Sequence, residues 1–226
     1  MFVADDLSDD PVVARALEAG VLVHIVSWQI VKAISDSVTP QGMIAVCGSP
    51  LKTLSDIELS SGLAVVLAGV GDPGNVGTLI RTAAAAGADA VVLTEGSADP
   101  LNPKTARASA AALFGATLVA DVSLTEAERK LSELGYRLVG TDSDAPVSLY
   151  DEDLSGPVAL VLGNEAWGLP EDQVGLLATM VSIPMPGPVE SLNVATAGSV
   201  VVFEILRQKR MGADGILRRQ GGSDIE

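Results

Sequence analysis

Leu162-Gly163-Asn164-Glu165-Ala166-Trp167-Gly168-Leu169 is the stretch on which the reading of this chain turns. It follows an uninterrupted apolar run, Val158-Ala159-Leu160-Val161-Leu162. Such a run fits a strand buried on both faces, as in a parallel sheet covered by helices. Two glycines flank one acid, so the backbone there can bend sharply and approach a neighbour closely. Two more polar motifs occupy comparable places. One is Asn75-Val76-Gly77-Thr78-Leu79-Ile80-Arg81. The other is Ile183-Pro184-Met185-Pro186-Gly187-Pro188-Val189-Glu190-Ser191-Leu192-Asn193. Each falls where a strand should end or a helix begin, which is where open α/β sheets bind their ligands.

Working outward, apolar runs alternate with helical spacing from residue 63 onward. Strands are expected at 63–68, 90–93, 117–119, 137–141, 158–162 and 181–183. Helices are expected at 76–86, 104–112, 125–134, 171–178 and 194–210, with Thr125 and Glu128 as a capping pair. The fold class is α/β with a parallel sheet. Upstream, the pattern predicts helix at 10–19, strand at 21–26, helix at 27–36 and strand at 42–47, with no opening strand. The expected division is a small domain at 1–48, a polar linker at 49–61, the main domain at 62–211 and a tail at 212–226. The end of that tail, 220–226, is expected to be disordered.

Composition narrows the function classes. The 226 residues are 48% hydrophobic but only 3% aromatic, so the core must be aliphatic. No run approaches the ~18 apolar residues of a membrane span, and the start lacks the basic head and apolar stretch of a signal peptide. A single cysteine, Cys47, excludes an internal disulfide, and with one histidine, His24, no metal site is expected. A cytoplasmic location follows. The net charge of −15 opposes binding to nucleic acid, although Arg207, Lys209, Arg210, Arg218 and Arg219 cluster near the end. That cluster reads either as a solvated helix terminus or as a phosphate-facing strip.

Each motif has a bland and a chemical reading. Asn75 suits a helix cap, while Arg81, in an apolar helix, is costly unless paired. Gly163, Glu165 and Gly168 fit either a tight turn or a loop that lets a flat ligand approach. Trp167 could pack on a partner subunit or on a base. Three prolines at 184, 186 and 188 make a stiff loop before Ser191, itself a common N-cap. Gly69-Val70-Gly71-Asp72-Pro73-Gly74 matches G-x-G-x-x-G, with Glu95 downstream, which would suit a dinucleotide oxidoreductase. Pro73 counts against it, because it removes an N–H where a pyrophosphate would need one.

Taken in order, the three motifs resemble the SpoU branch of the SPOUT superfamily of RNA ribose 2′-O-methyltransferases. In flavour they are similar to the thiostrepton- or nosiheptide-resistance type that acts on ribosomal RNA. The resemblance spans about 62–208 and implies a C-terminal trefoil knot, a homodimer and S-adenosylmethionine as cofactor. It implies that Arg81 assists deprotonation of the ribose hydroxyl, while Asn75, Glu165, Ser191 and Asn193 organise the site. Leu162, Gly163, Asn164, Gly168, Ile183, Met185, Ser191 and Leu192 fall in the cofactor loops, with Thr141 and Asp142 closing over them. Asn102-Pro103-Lys104-Thr105-Ala106-Arg107-Ala108-Ser109 resembles a segment that turns Lys104, Arg107 and Ser109 toward RNA. Residues 1–47 resemble the later part of a ribosomal-protein-like RNA-binding domain. The alternatives are a non-catalytic RNA- or ribosome-binding module and, more remotely, the oxidoreductase.

Overall fold

The computed structural model describes residues 1–35 and 37–220, with side chains up to residue 211. The chain divides into two compact units, Met1–Ser49 and Pro50–Glu226.

The small unit comprises β1 (Phe2–Ala4), α1 (Pro11–Glu18), β2 (His24–Val26), α2 (Trp28–Ile34) and β3 (Met43–Ile44). Contrary to expectation, an opening strand exists. β1 is the central strand, parallel to β2 and antiparallel to β3. Three residues are too few to show a periodicity, but Val3 and Ala4 are fully buried. Asp10 caps α1, its carboxylate accepting from the Val12 N–H at 2.8 Å, with Pro11 at the first helical position, where its missing N–H costs nothing.

The large unit comprises β4 (Leu51–Lys52), β5 (Leu63–Leu67), α3 (Pro73–Ala85), β6 (Ala90–Thr94), α4 (Pro103–Ala108), β7 (Leu118–Val122) and α5 (Leu124–Glu133). It continues with β8 (Arg137–Thr141), β9 (Val147–Ser148), β10 (Val158–Leu162), α6 (Glu171–Val174), β11 (Thr179–Ser182) and α7 (Val194–Gln220). Its eight strands run in the order β4-β7-β6-β5-β10-β8-β11-β9, and every pairing is parallel.

Side-chain alternation sends each strand into two cores. Leu63, Val65 and Leu67 of β5, with Leu160 and Leu162 of β10, pack on one face with Leu79 and Ile80 of α3 and Val201, Val202 and Ile205 of α7. Ala64, Val66, Ala159 and Val161 face Ala127 and Leu131 of α5 on the other. The run of apolar residues in β10 thus reflects burial on both sides. β6 and β7 lie beyond β5, while β8 and β11 lie beyond β10. Successive strands therefore depart in opposite directions from the β5–β10 boundary, the position where α/β sheets open a crevice.

Several boundaries move. The segment 49–61, expected as a linker, carries β4 and the buried Ile57 and, from Pro50 on, belongs to the large unit. α3 starts three residues early because Asp72, not Asn75, caps it, accepting from the Asn75 N–H at 2.8 Å. α5 is closed by a capping box of Ser123 and Glu126 rather than Thr125 and Glu128. α4 stops at Ala108, after which Ala110 (φ 48°) and Ala111 (φ 68°) take left-handed backbone that no helix continues. α7 runs past 210 to Gln220; the rest of the expected disordered end, 221–226, lies outside the described residues.

The basic strip is partly consumed internally. Arg207 is paired with Glu204 at 2.6 Å, and Lys209 donates to the carbonyls of Ser155 and Gly156. The side chains of Arg218 and Arg219 lie outside the described residues. Among the described residues no helix is long and apolar enough to cross a membrane.

Candidate active site

The site forms at the carboxyl ends of β5, β8, β10 and β11. Glu165, on the loop after β10, reaches across to the loop after β5. Its carboxylate accepts from the N–H groups of Gly71 at 3.1 Å and Asp72 at 3.2 Å, and from Asn75 Nδ2 at 2.9 Å. Asn75 Oδ1 in turn accepts from Asn193 Nδ2 at 3.0 Å. Asn193 Oδ1 takes the N–H groups of Ala195 at 2.9 Å and Thr196 at 3.3 Å, capping α7. One polar chain, Glu165–Asn75–Asn193, therefore joins all three motifs across separations of 90 and 118 residues. Asn75 is a bridge, and Asn193 takes the capping role that sequence assigned to Ser191.

The turn after β10 is closed by its own backbone. Asn164 N–H donates to Gly168 O at 3.0 Å and Gly168 N–H to Asn164 O at 2.9 Å. Asn164 Nδ2 also donates to the Gly69 carbonyl at 2.8 Å, and its Oδ1 accepts from the Ala166 N–H at 2.8 Å. Gly163 permits this closure, since a Cβ there would sit 2.5 Å from the carbonyl carbon of Gly168.

Burial pulls the Glu165 carboxyl upward, but the hydrogen bonds from Asn75, Gly71 and Asp72 outweigh it and hold the group below its ordinary 4.5. Folding thus favours the ionised form. This contribution is complete above pH 4.5 and is lost as pH falls through the depressed value. Glu165→Gln is expected to lower the unfolding midpoint near neutral pH, with the two curves converging below pH 4.5. A gap that stays constant into acid would contradict the charge-based role.

Beside this chain of bonds lies a cavity of about 570 Å³. It brings together Thr141, Asp142, Gly163, Asn164, Glu165 and Gly168 with Ile183, Met185, Ser191, Leu192 and Asn193 from the third motif. Ser143, Asp144, Ala166, Val181 and Ala197 also line it, and their sequence gave no separate signal beyond adjacency to Asp142 or to the motif loops. Trp167, for which the sequence leaves a partner subunit or a base as packing partner, is a further lining residue.

Five expected residues lie elsewhere. Leu162 is fully buried, and a Cβ on Gly198 of α7 would come within 2.6 Å of its Cδ1, so its side chain is core. Ser109 is fully buried and donates to Ala106 O at 2.8 Å, which removes it from any RNA surface. Lys104 and Arg107 are exposed on α4, away from the cavity lining. Arg81 needs no partner to offset burial, because it lies on the outward face of α3; it does not line the cavity.

The G-x-G-x-x-G loop is spoken for at its centre: Gly71 and Asp72 give their N–H groups to Glu165, Asp72 caps the helix, and Pro73 has no N–H to offer a pyrophosphate. This geometry sets the oxidoreductase aside.

A family model of the SpoU rRNA Methylase family matches residues 62–203. The chain belongs to the SpoU rRNA methylase family. The 23S rRNA (guanosine-2'-O-)-methyltransferase RlmB of Xylella fastidiosa is 36% identical over 87% of this chain and 82% of that protein. The 23S rRNA (guanosine(2553)-2'-O)-methyltransferase RlmP of Bacillus subtilis is 32% identical over 88% of this chain and 78% of that protein. Among solved structures, the SpoU methyltransferase AviRb of Streptomyces viridochromogenes superposes with a TM-score of 0.78 at 28% identity, covering 93% of this chain and 82% of that one. An AdoMet-bound rRNA methyltransferase of Sinorhizobium meliloti gives 0.77 at 30% identity, covering 91% of this chain and 79% of that one. As a SpoU protein, the chain has the expected parallel α/β architecture, and all three motifs fall within the matched residues.

Proposed function

We propose that this chain is an S-adenosylmethionine-dependent RNA methyltransferase that methylates a ribose 2′-hydroxyl in structured RNA, with ribosomal RNA as its substrate. The observation that carries this reading is the hydrogen-bonded chain Glu165–Asn75–Asn193 along one side of a cavity in a SpoU-family protein. The names of the Xylella and Bacillus relatives support ribosomal RNA and the 2′-oxygen, and the AdoMet-bound Sinorhizobium structure supports the cofactor.

The cavity fits such a cofactor. Its volume of about 570 Å³ lies within the ~300–1,000 Å³ of small-molecule sites. Among the described residues Asp142, Asp144 and Glu165 line it without any Lys, Arg or His, which suits a ligand bearing a sulfonium and an ammonium group. Thr141, Asp142, Gly163, Asn164 and Gly168 would hold it together with Ile183, Met185, Ser191 and Leu192. Bound there, S-adenosylmethionine supplies a methyl group on a positively charged sulfur. Glu165 locks the loops after β5 and β10 to each other, and Asn193 ties both to the start of α7. Ser191 offers a hydroxyl at the mouth. Catalysis in this reading is mostly positioning for in-line attack.

Arg81 has the electrostatic task. A ribose hydroxyl is a poor acid, and a nearby guanidinium stabilises the negative charge that grows as its proton leaves; with a pKa above 12, arginine is a weak base itself. The homodimer reading gives Arg81 a place to act. Thr78, Arg81 and Ala85 form an exposed row on α3, next to Thr196 and the half-exposed Phe203 of α7, with the helices joined by the Thr82–Ser199 hydroxyl contact at 3.1 Å. A second copy seated on this face would bring Arg81 toward its cavity. Lys104 and Arg107 meet RNA phosphates, and the small domain read at 1–48 adds to RNA binding. The reading includes the C-terminal trefoil knot, supported by β10 lying between β5 and β8, and action in the cytoplasm.

The reading is tested by transfer of labelled methyl groups from S-adenosylmethionine to unmodified 23S rRNA, 16S rRNA and transfer RNA. Label confined to ribosomal RNA is expected. Label only in transfer RNA would overturn the substrate class, and cofactor binding with no transfer to any RNA would favour the non-catalytic module.

A further inference from the structure

Trp167 is 71% exposed, although it is one of only two tryptophans in a chain that is 3% aromatic. Its backbone is nevertheless held firmly. The residues on either side of its turn, Asn164 and Gly168, exchange two backbone hydrogen bonds, and Glu165 is fixed to Gly71, Asp72 and Asn75. A rigid turn thus presents an indole ring at the wall of the cavity, where it adds little to the core.

The wall around it is anionic. Asp142, Asp144 and Glu165 line the cavity, and among the described residues no Lys, Arg or His does. A nucleic acid brought here gains nothing from Coulomb attraction at this wall, and the chain as a whole carries −15. The contact able to hold a nucleotide against such a wall is one without charge. Stacking meets that need, because every base has a π face and an aromatic side chain accepts it whatever the sequence.

We infer that Trp167 is the stacking platform for a nucleobase of the RNA substrate, at or beside the ribose that is methylated. This rests on the RNA methyltransferase reading above. In that reading the cofactor is held by the loop residues around it, Gly163, Ile183 and Leu192 among them. Trp167 is a positioning residue, and its loss should act on RNA affinity.

The test uses the full chain. Affinity for an unmodified 23S rRNA transcript is measured for wild type, Trp167→Ala, Trp167→Phe and Arg107→Ala over a series of salt concentrations. Affinity for S-adenosylhomocysteine and the oligomeric state are followed in parallel. Trp167→Ala is expected to bind the transcript ~10- to 100-fold more weakly at every salt concentration, about 1.4–2.8 kcal/mol. The slope of log affinity against log salt should stay unchanged, since no phosphate contact is lost. The loss should appear in KM for RNA rather than in kcat, and Trp167→Phe should restore most of it. Arg107→Ala should instead flatten the slope. Unchanged RNA affinity in Trp167→Ala would overturn the inference. So would an equal loss of S-adenosylhomocysteine affinity, which would make the ring a cofactor contact, or dissociation into monomers, which would make it a subunit contact. A wild-type chain that neither binds nor methylates RNA would overturn the functional reading itself, which is a separate result from an active wild type with an indifferent Trp167→Ala.

Discussion

Arg81→Ala is expected to lower methyl transfer ~100-fold or more, a loss of about 2.7 kcal/mol at the transition state. Affinity for S-adenosylhomocysteine should hold, because Arg81 does not line the cavity. Neither should the fold suffer, since Arg81 lies exposed on α3. The interesting question is which cavity it serves. Arg81→Ala and Asn193→Ala chains, each inactive alone, can be mixed and refolded together. If Arg81 acts across the dimer, a mixed pair contains one cavity with both residues intact, and activity should return to a sizeable fraction of wild type. If it acts within its own chain, neither cavity is complete and the mixture stays inactive. An Arg81→Ala enzyme with wild-type rate would remove the assigned role.

Gly163→Ala should be comparably severe for a different reason. The added methyl would meet the carbonyl carbon of Gly168 at 2.5 Å, with the Gly168 oxygen and the Leu169 nitrogen both at 2.8 Å. These are backbone atoms and cannot swing aside as a flexible side chain would. The turn must open, breaking the Asn164–Gly168 bonds and moving Glu165 off its donors. Overpacking of this kind costs ~1–3 kcal/mol of stability. Cofactor affinity is expected to drop ~100-fold or more, about 2.8 kcal/mol, because the displaced loop forms one wall of the cavity. Calorimetric titration with S-adenosylhomocysteine checks this. Wild-type affinity in Gly163→Ala would show that the close approach is incidental.

Much of this architecture was legible in the chain itself. Strands β5 and β10 announce themselves because a strand buried on both faces must be apolar throughout. β1, β3 and β4 do not, since two or three residues carry no period and owe their place to partners distant in sequence. Helix starts were misplaced where two capping residues lay close together. Asp72 outcompetes Asn75, and Ser123 with Glu126 outcompetes Thr125 with Glu128, and only the folded geometry decides between them. The site was readable as three motifs but not as a connected object. Sequence spacing holds no hint that Glu165 would find Asn75 or that Asn75 would find Asn193. A motif names a position without saying which way its side chain turns, and the side chains of Ser109 and Leu162 both turn inward. Arg81 is the opposite case. Its apolar neighbours Leu79 and Ile80 occupy the buried face of α3, which leaves Arg81 on the outward one.

The most direct test of the central claim is the position of the transferred methyl group. Ribosomal RNA labelled by the wild-type chain is digested to nucleosides and separated by mass spectrometry. The label should reside in a 2′-O-methylated nucleoside, with the added mass on the ribose fragment, and should be absent from the Arg81→Ala reaction. Label on a base fragment would contradict the account.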